Sequence, residues 1–300
     1  MTTVDQLTAA PPDRSDATSR VARPPRAAMV LPMALMFVFS VYFLAPVAWL
    51  FVASTKSAGD LTSTSGFWFS NFQLGGNLAD LFSRDDGIYV RWLLNSLLYA
   101  VGGALIGTLL AAMAGYALAK YRFRGRELVF SIVLGGVLVP ATALALPLFL
   151  LFSKVEATNT FWSVFLPSIV SPFGVFLSRI YAAASVPEEL IEAGRLDGAG
   201  EFRIFYTVGV RLMAPALVTI FLFQFVAIWN NFLLPLVMLT NEKLYPITLG
   251  LFVWNSQLSR DPDLKSVVLT GSLLSVLPLI VAFLSLQRFW RSGLAAGGVK

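Results

Sequence analysis

No cysteine and no histidine occur in the 300 residues of this chain. The first absence excludes disulfides and thiolate metal sites. The second removes the commonest metal ligand and the commonest general base. Charge is scarce as well: Asp, Glu, Lys and Arg make up 13% of the residues, against roughly 25% in a soluble domain. Hydrophobic residues fill the space, at 57% of the chain with a mean hydropathy of +0.73. That balance places the chain among membrane proteins and makes lipid its first expected partner. The formal net charge of +5 is then read as orientation in a bilayer, and no nucleic acid is expected.

The charged residues divide the chain. Met1–Arg26 is polar, rich in Pro, Ala, Thr and Arg, and without hydrophobic periodicity, and it reads as a disordered tail. Six predominantly apolar, charge-free runs follow: Ala27–Thr55, Trp92–Ala119, Leu128–Ser153, Ala157–Ser178, Leu212–Asn241 and Ser266–Gln287. A spanning helix needs roughly 20 apolar residues, and in lipid a helix satisfies every backbone group within its own segment. The expectation is an all-α membrane protein with six transmembrane helices, a membrane domain over residues 27–291 and a short tail at 292–300. Leu61–Ala79 is too polar to span, and Leu244–Ser259 is too short, so the latter reads as an interfacial or loop helix. The N-terminal tail, Lys120–Glu127, Arg179–Arg211 and Arg288–Lys300 hold 15 of the 22 Lys and Arg residues. The positive-inside rule assigns these segments, and both termini, to the cytoplasm.

Inside the spans, Gly103, Gly107, Ala111 and Gly115 recur every four residues and line one helix face with small side chains. Packing within the subunit is the preferred reading. Pro140, Pro147, Pro167 and Pro172 are expected to kink the third and fourth spans. The fifth has the most polar interior: Gln224, Trp229, Asn230 and Asn231. Amides beside an aromatic suit a neutral, hydroxyl-rich ligand, since amides donate and accept hydrogen bonds. The same residues also suit interhelical hydrogen bonding, and both readings stand. No Asp, Glu, Lys, Arg or His lies within the six runs, which argues against ion-coupled transport and against hydrolysis inside the bilayer. The outward acids Asp85, Asp86, Asp261 and Asp263 sit near basic residues and read as solvated loops, which disfavours a membrane-embedded enzyme. No Gly-Lys dipeptide occurs, so the chain has no phosphate-binding loop, no cofactor site is expected, and any ATP must be hydrolysed by another subunit.

The stretch 185–215, SVPEELIEAGRLDGAGEFRIFYTVGVRLMAP, is the charged interruption that stands out. Ser185 and Glu188 have capping-box spacing, with Pro187 in the first turn, and predict a helix from about Val186 to Leu196. Asp197, Gly198 and Gly200 predict a turn, and a second helix begins near Glu201. The result would be a knob projecting from the membrane.

EAGRLDGAG resembles the EAA loop of ATP-binding-cassette importer permeases, and most closely the sugar-importer group that includes the maltose-transporter inner-membrane subunits. NSLLYA at Asn95, AGYALAKYRFRGR at Ala114, VPATALALPLF at Val139 and WNNFLLPL at Trp229 extend the resemblance over roughly Met29 to Arg291. It implies a type I ABC importer permease in the cell membrane, which is not itself an enzyme. Its expected partners are a dimer of ABC ATPase subunits, a second and different permease subunit, an extracytoplasmic solute-binding protein and a carbohydrate substrate. The alternative solute is a glycerol phosphodiester or similar polyol. The loop 185–211 would carry the coupling helix, with Glu192, Ala193, Gly194, Asp197, Gly198 and Ala199 at the motif positions. Two departures stand out: Gly194 where the family usually has Ala, and Arg211 where it usually has Pro, although Pro215 remains.

Overall fold

A computed structural model describes residues 26–297. Residues 1–25 of the expected N-terminal tail and 298–300 of the expected C-terminal tail lie outside the described residues, while 292–297 continue the last helix. The chain forms two compact units divided between Val47 and Ala48. The described part of the first is an apolar stretch of helix α1 (Arg26–Ser54) with exposed side chains such as Leu31, Phe37 and Phe43. Everything below concerns the second unit.

After α1 come α2 (Asp60–Ser63) and α3 (Leu74–Ser83). A tight turn at Asp85 and Asp86, both with positive φ, leads into α4 (Ile88–Leu97), which continues through a π-helical segment, Leu98–Gly102, into α5 (Gly103–Lys120). Then follow α6 (Arg126–Val137), α7 (Ala145–Lys154), α8 (Phe161–Ser168), α9 (Pro172–Ser185), α10 (Glu188–Leu196) and α11 (Glu201–Ile204). A second π segment, Phe205–Gly209, joins α11 to α12 (Val210–Trp229), and α13 (Leu233–Met238), α14 (Ile247–Ser256) and α15 (Leu264–Gly297) complete the chain. No strand occurs among the described residues.

Five stretches are long and apolar enough to cross a membrane: Met29–Ser54, Leu74–Lys120, Phe161–Ser185, Glu201–Trp229 and Leu264–Gln287. The sixth expected span, Leu128–Ser153, is not one straight helix. Its halves meet at 96°, because Pro140 has no N–H for the helical ladder and disfavours helical backbone at the residue before it. Pro147 falls in the first turn of α7 and breaks nothing. Pro172 opens α9, with Ser171 Oγ accepting from the Gly174 amide at 3.2 Å. The fifth span starts earlier and ends earlier than its charge-free run, stopping at Trp229. The short helix expected at 244–259 is α14, and it is buried: Ile247, Leu249 and Trp254 belong to the core around Tyr89 and Trp92.

The glycine stripe works as the packing reading expected. A Cβ on Gly115 would lie 2.4 Å from the Ser178 Cβ and 2.7 Å from the Arg179 amide nitrogen, and one on Gly107 would lie 2.7 Å from the Ile169 carbonyl. The backbones of α5 and of the α8–α9 segment approach closely only because no side chain intervenes.

Candidate functional site

The charged knob is built from α10, a four-residue turn and α11. Its helix begins later than the capping-box spacing predicts. Val186 is extended (φ −110°, ψ 104°) and Pro187 takes the N-cap position. The proline disfavours helical geometry at Val186, so Ser185 ends α9 and its hydroxyl donates to the Tyr181 carbonyl at 2.6 Å. The first turn of α10 instead gains from the carboxylates of Glu188 and Glu189, which complement the positive helix end.

The far end of α10 closes with two nested bonds. The Ala199 amide donates to the Gly194 carbonyl at 2.9 Å, and the Gly198 amide to the Arg195 carbonyl at 3.0 Å. This is a Schellman cap. It requires a left-handed residue after Asp197, and Gly198 supplies it with φ of +75° and open space around it. Gly194 now has a reason to be small. A Cβ there would lie 3.0 and 3.2 Å from two carbons of the buried Ile204 side chain, so the missing methyl lets α11 lie against α10.

Below the knob is an apolar cluster of Tyr116, Ala182, Val186, Ile191, Ile204, Phe205 and Met213, drawn from α5, α9, α10 and the start of the α12 segment. Polar ties surround it. Arg195 grips the Glu201 carboxylate with Nε at 2.7 Å and an Nη at 3.3 Å. The Tyr121 hydroxyl, just past α5, donates to the other side of the same carboxylate at 2.8 Å. Burial and that hydrogen bond push the Tyr121 hydroxyl above its usual range, so it remains a neutral donor. Lys120 Nζ pairs with Glu188 at 3.1 Å. Arg179 clasps Glu127 with one nitrogen at 2.7 and 2.9 Å and stacks over Phe130. The knob is thus fastened to the ends of α5 and α12. Glu192 and Asp197 are exposed and pair with no side chain among the described residues. Leu196 is 89% exposed at the tip.

The polar residues of the fifth span do not form one face. Gln224 is buried, and its amide nitrogen donates to the Ser168 carbonyl at 3.0 Å, at the break between α8 and α9. It lies against Gly107, whose missing side chain leaves room for it. Trp229 is buried in the apolar core and stacks on Phe225. Helix α12 ends there, so Asn230 and Asn231 fall outside it. Asn230 is exposed and its side chain caps the Val226 carbonyl, while the Asn231 carbonyl accepts from Thr248 at 3.1 Å.

Residues 103–294, a stretch that includes the whole knob and the α12 segment, match the family described as the binding-protein-dependent transport system inner membrane component. The chain belongs to that family. It is therefore a multi-pass inner-membrane permease, and its relatives are transport proteins. It is 37% identical over 214 residues to the arabinooligosaccharides transport system permease protein AraQ of Halalkalibacterium halodurans, covering 71% of this chain and 75% of that one. It is 31% identical over 255 residues to the lactose transport system permease protein LacG of Rhizobium radiobacter, covering 85% and 90%. The fold matches a chain in the crystal structure of a bacterial ABC transporter involved in the import of the acidic polysaccharide alginate, with a TM-score of 0.77, 22% identity, and 89% and 98% of the two chains covered.

In this permease the sequence motif marks the knob but not its fastenings. Glu201, Tyr121, Lys120 and Ile204 hold it in place, and no sequence signal joins Tyr121 to a carboxylate eighty residues away. Gly194 is the exception: the motif departure was visible in the sequence, and Ile204 accounts for it.

Proposed function

We propose that this permease forms, with a second and different permease subunit, the translocation pathway of an ATP-driven carbohydrate importer, and that α10 is the element on which an ABC ATPase docks. The observation that carries this reading is the knob itself. It is a capped helix with an apolar tip and three carboxylates, Glu189, Glu192 and Asp197, that pair with no side chain among the described residues, fastened through Glu188 and Arg195 to the ends of long spanning helices. Movement imposed on α10 has a mechanical route to α5 and α12. The basic residues gathered at this end support a cytoplasmic location for the knob and for both termini. ATP chemistry then belongs to the ATPase dimer, and this chain needs no cofactor and performs no catalysis. The loops at 56–91 and 242–265 lie on the extracytoplasmic side, from which a solute-binding protein approaches.

Carbohydrate is favoured by the substrates named for AraQ and LacG and by the absence of charge from the six apolar runs. Asn230 and Asn231, at the break after α12, together with Gln224 and Trp229 are the pathway candidates. Replacing Asn230 and Asn231 together by Ala is expected to lower transport or change substrate preference in an assembled complex, and unchanged transport removes them from the pathway.

The docking assignment is tested with Gly198→Val. A branched residue at positive φ strains the cap by about 1–2 kcal/mol and faces open space, so the membrane domain stays intact. The ATPase is expected to be lost on affinity purification through the permease. Normal co-purification with normal transport overturns the assignment.

A further inference from the structure

The loop between α1 and α3 contains a buried cation. Lys56 is 1% exposed, yet no ion pair among the described residues includes it. Its ammonium donates to Thr64 Oγ1 at 2.9 Å and to the Ser65 carbonyl at 2.5 Å. An ammonium taken out of water without a counter-charge is costly and needs such hydrogen bonds. What the cost secures is the shape of the loop. Asn77 donates to the Ser54 and Lys56 carbonyls at 2.8 and 2.9 Å, and the Gln73 amide donates to the Thr55 carbonyl at 2.7 Å. Ser70 donates to Asp60 at 3.2 Å. The loop is closed onto the end of α1 from both sides.

It also turns back along that helix. A Cβ on Gly66 would lie 3.4 Å from Trp49 Nε1, and the Phe69 ring meets Phe51 edge-on at 6.3 Å. The loop is therefore level with Trp49 and Phe51, inside the span that ends at Ser54. At that level it displays Phe67 and Trp68, 76% and 74% exposed, and Phe72, 65% exposed, follows beside the end of α1, where Gln73 bonds Thr55. No charged residue occurs between Asp60 and Asp80.

We propose that residues 57–73 are an interfacial anchor, with Phe67, Trp68 and Phe72 seated in the lipid headgroup layer at the end of the α1 span and Lys56 as the positioning residue that shapes the loop. Three observations select lipid over a protein partner. The loop sits at the depth of the last turns of a spanning helix. From 57 to 73 the one charged residue is Asp60, which is half-buried and already bonded to Ser70, so the surface around Phe67 and Trp68 offers no charge for a partner to complement. Its aromatic content is that of the belts found where bilayer meets water. The proposal is independent of where the ATPase docks.

The cysteine-free chain allows a direct test. Trp68→Cys and Phe72→Cys are each labelled with a nitroxide in the complete importer, reconstituted in phosphatidylcholine–phosphatidylglycerol liposomes, with Ser259→Cys as a water-exposed reference. Relaxation by oxygen is expected to exceed relaxation by a water-soluble nickel chelate several-fold at 68 and 72, with the reverse at 259. Nickel-dominated relaxation at 68 and 72 places the loop in water and overturns the proposal. Low access to both reagents means that protein covers the loop and overturns it equally. In the labelled Trp68→Cys background, Lys56→Met is expected to sharpen the spectrum of the label while leaving the melting temperature of the complex nearly unchanged. Thr64→Val, which removes one of the ammonium's acceptors, is expected to shift the spectrum the same way by less, and serves if Lys56→Met does not fold. An unchanged spectrum in the folded variant removes Lys56 from the positioning role.

Discussion

The two ends of the α5–α12 bundle are tied in different ways. At the α10 end the ties run between side chains, and most are exposed and charged: Lys120 to Glu188, Arg195 to Glu201, Arg179 to Glu127, with Tyr121 added to Glu201. At the other end Arg84 pairs with Asp261 and Trp254 donates to Asp85, but the ties that hold the 242–247 loop run from side chain to backbone. Trp92 donates to the Glu242 carbonyl at 2.9 Å, Asn95 to the carbonyls of Lys243 and Tyr245, and Tyr99 to that of Leu244, while Ser96 accepts from the Ile247 amide at 2.7 Å. A backbone group has one position for a given fold, so the second kind of tie holds loops rigidly. Exposed ion pairs are each worth roughly 0.2–1 kcal/mol and can be remade with small shifts. The first kind suits an element that is pushed, and the second suits a platform that must keep its shape.

The largest break in this comparison severs the rod between the ends. Gly115→Val drives a side chain into the Ser178 Cβ and the Arg179 backbone. Overpacking costs about 1–3 kcal/mol or more where backbone has to move, and size-exclusion of the detergent-solubilised protein is expected to show loss of the folded species. At the platform, Ser96→Ala leaves the buried Ile247 amide without its acceptor, a cost of about 1–3 kcal/mol. Thermal unfolding in detergent should register that drop, and an unchanged melting temperature means the platform is not rigid in the sense argued. At the knob, Glu201→Gln should cost under about 1 kcal/mol and scarcely move the melting temperature. It should nonetheless reduce transport per ATP hydrolysed in reconstituted complexes, because Arg195 of α10 loses its charged link to residue 201 and through it to Tyr121. The smallest effect belongs to Gly194→Ala. Its gain of about 1 kcal/mol in helix propensity is offset by the crowded Ile204. A melting temperature near that of the unaltered protein is expected, with Gly194→Ala plus Ile204→Val the more stable of the two variants.

Much of the knob was legible beforehand. The Asp197–Gly200 turn and the second helix at Glu201 follow from local chemistry, and they formed where expected. The capping box failed for an equally local reason, since Pro187 constrains Val186 and gives Ser185 to the preceding helix. The polar set in the fifth span read less well. Seven-residue spacing puts Gln224 and Asn231 on one face only if the helix continues, and it stops at Trp229. Gln224's partner is a carbonyl at a helix break 56 residues earlier, which no periodicity within one segment reveals.

By itself the sequence determined which stretches enter the membrane and where the charged knob interrupts them. Hydrocarbon admits neither bare charge nor unpaired backbone, so a charge-free run of sufficient length has few alternatives to a helix. It also determined the turn at Gly198, because positive φ is a property of one residue's backbone. Only the tertiary structure decided the seat of Gln224, the burial of Lys56 and the Arg195–Glu201–Tyr121 clasp. Each of these depends on which atoms distant segments bring to the same place, and that is settled by packing among helices rather than by the preferences of any one of them.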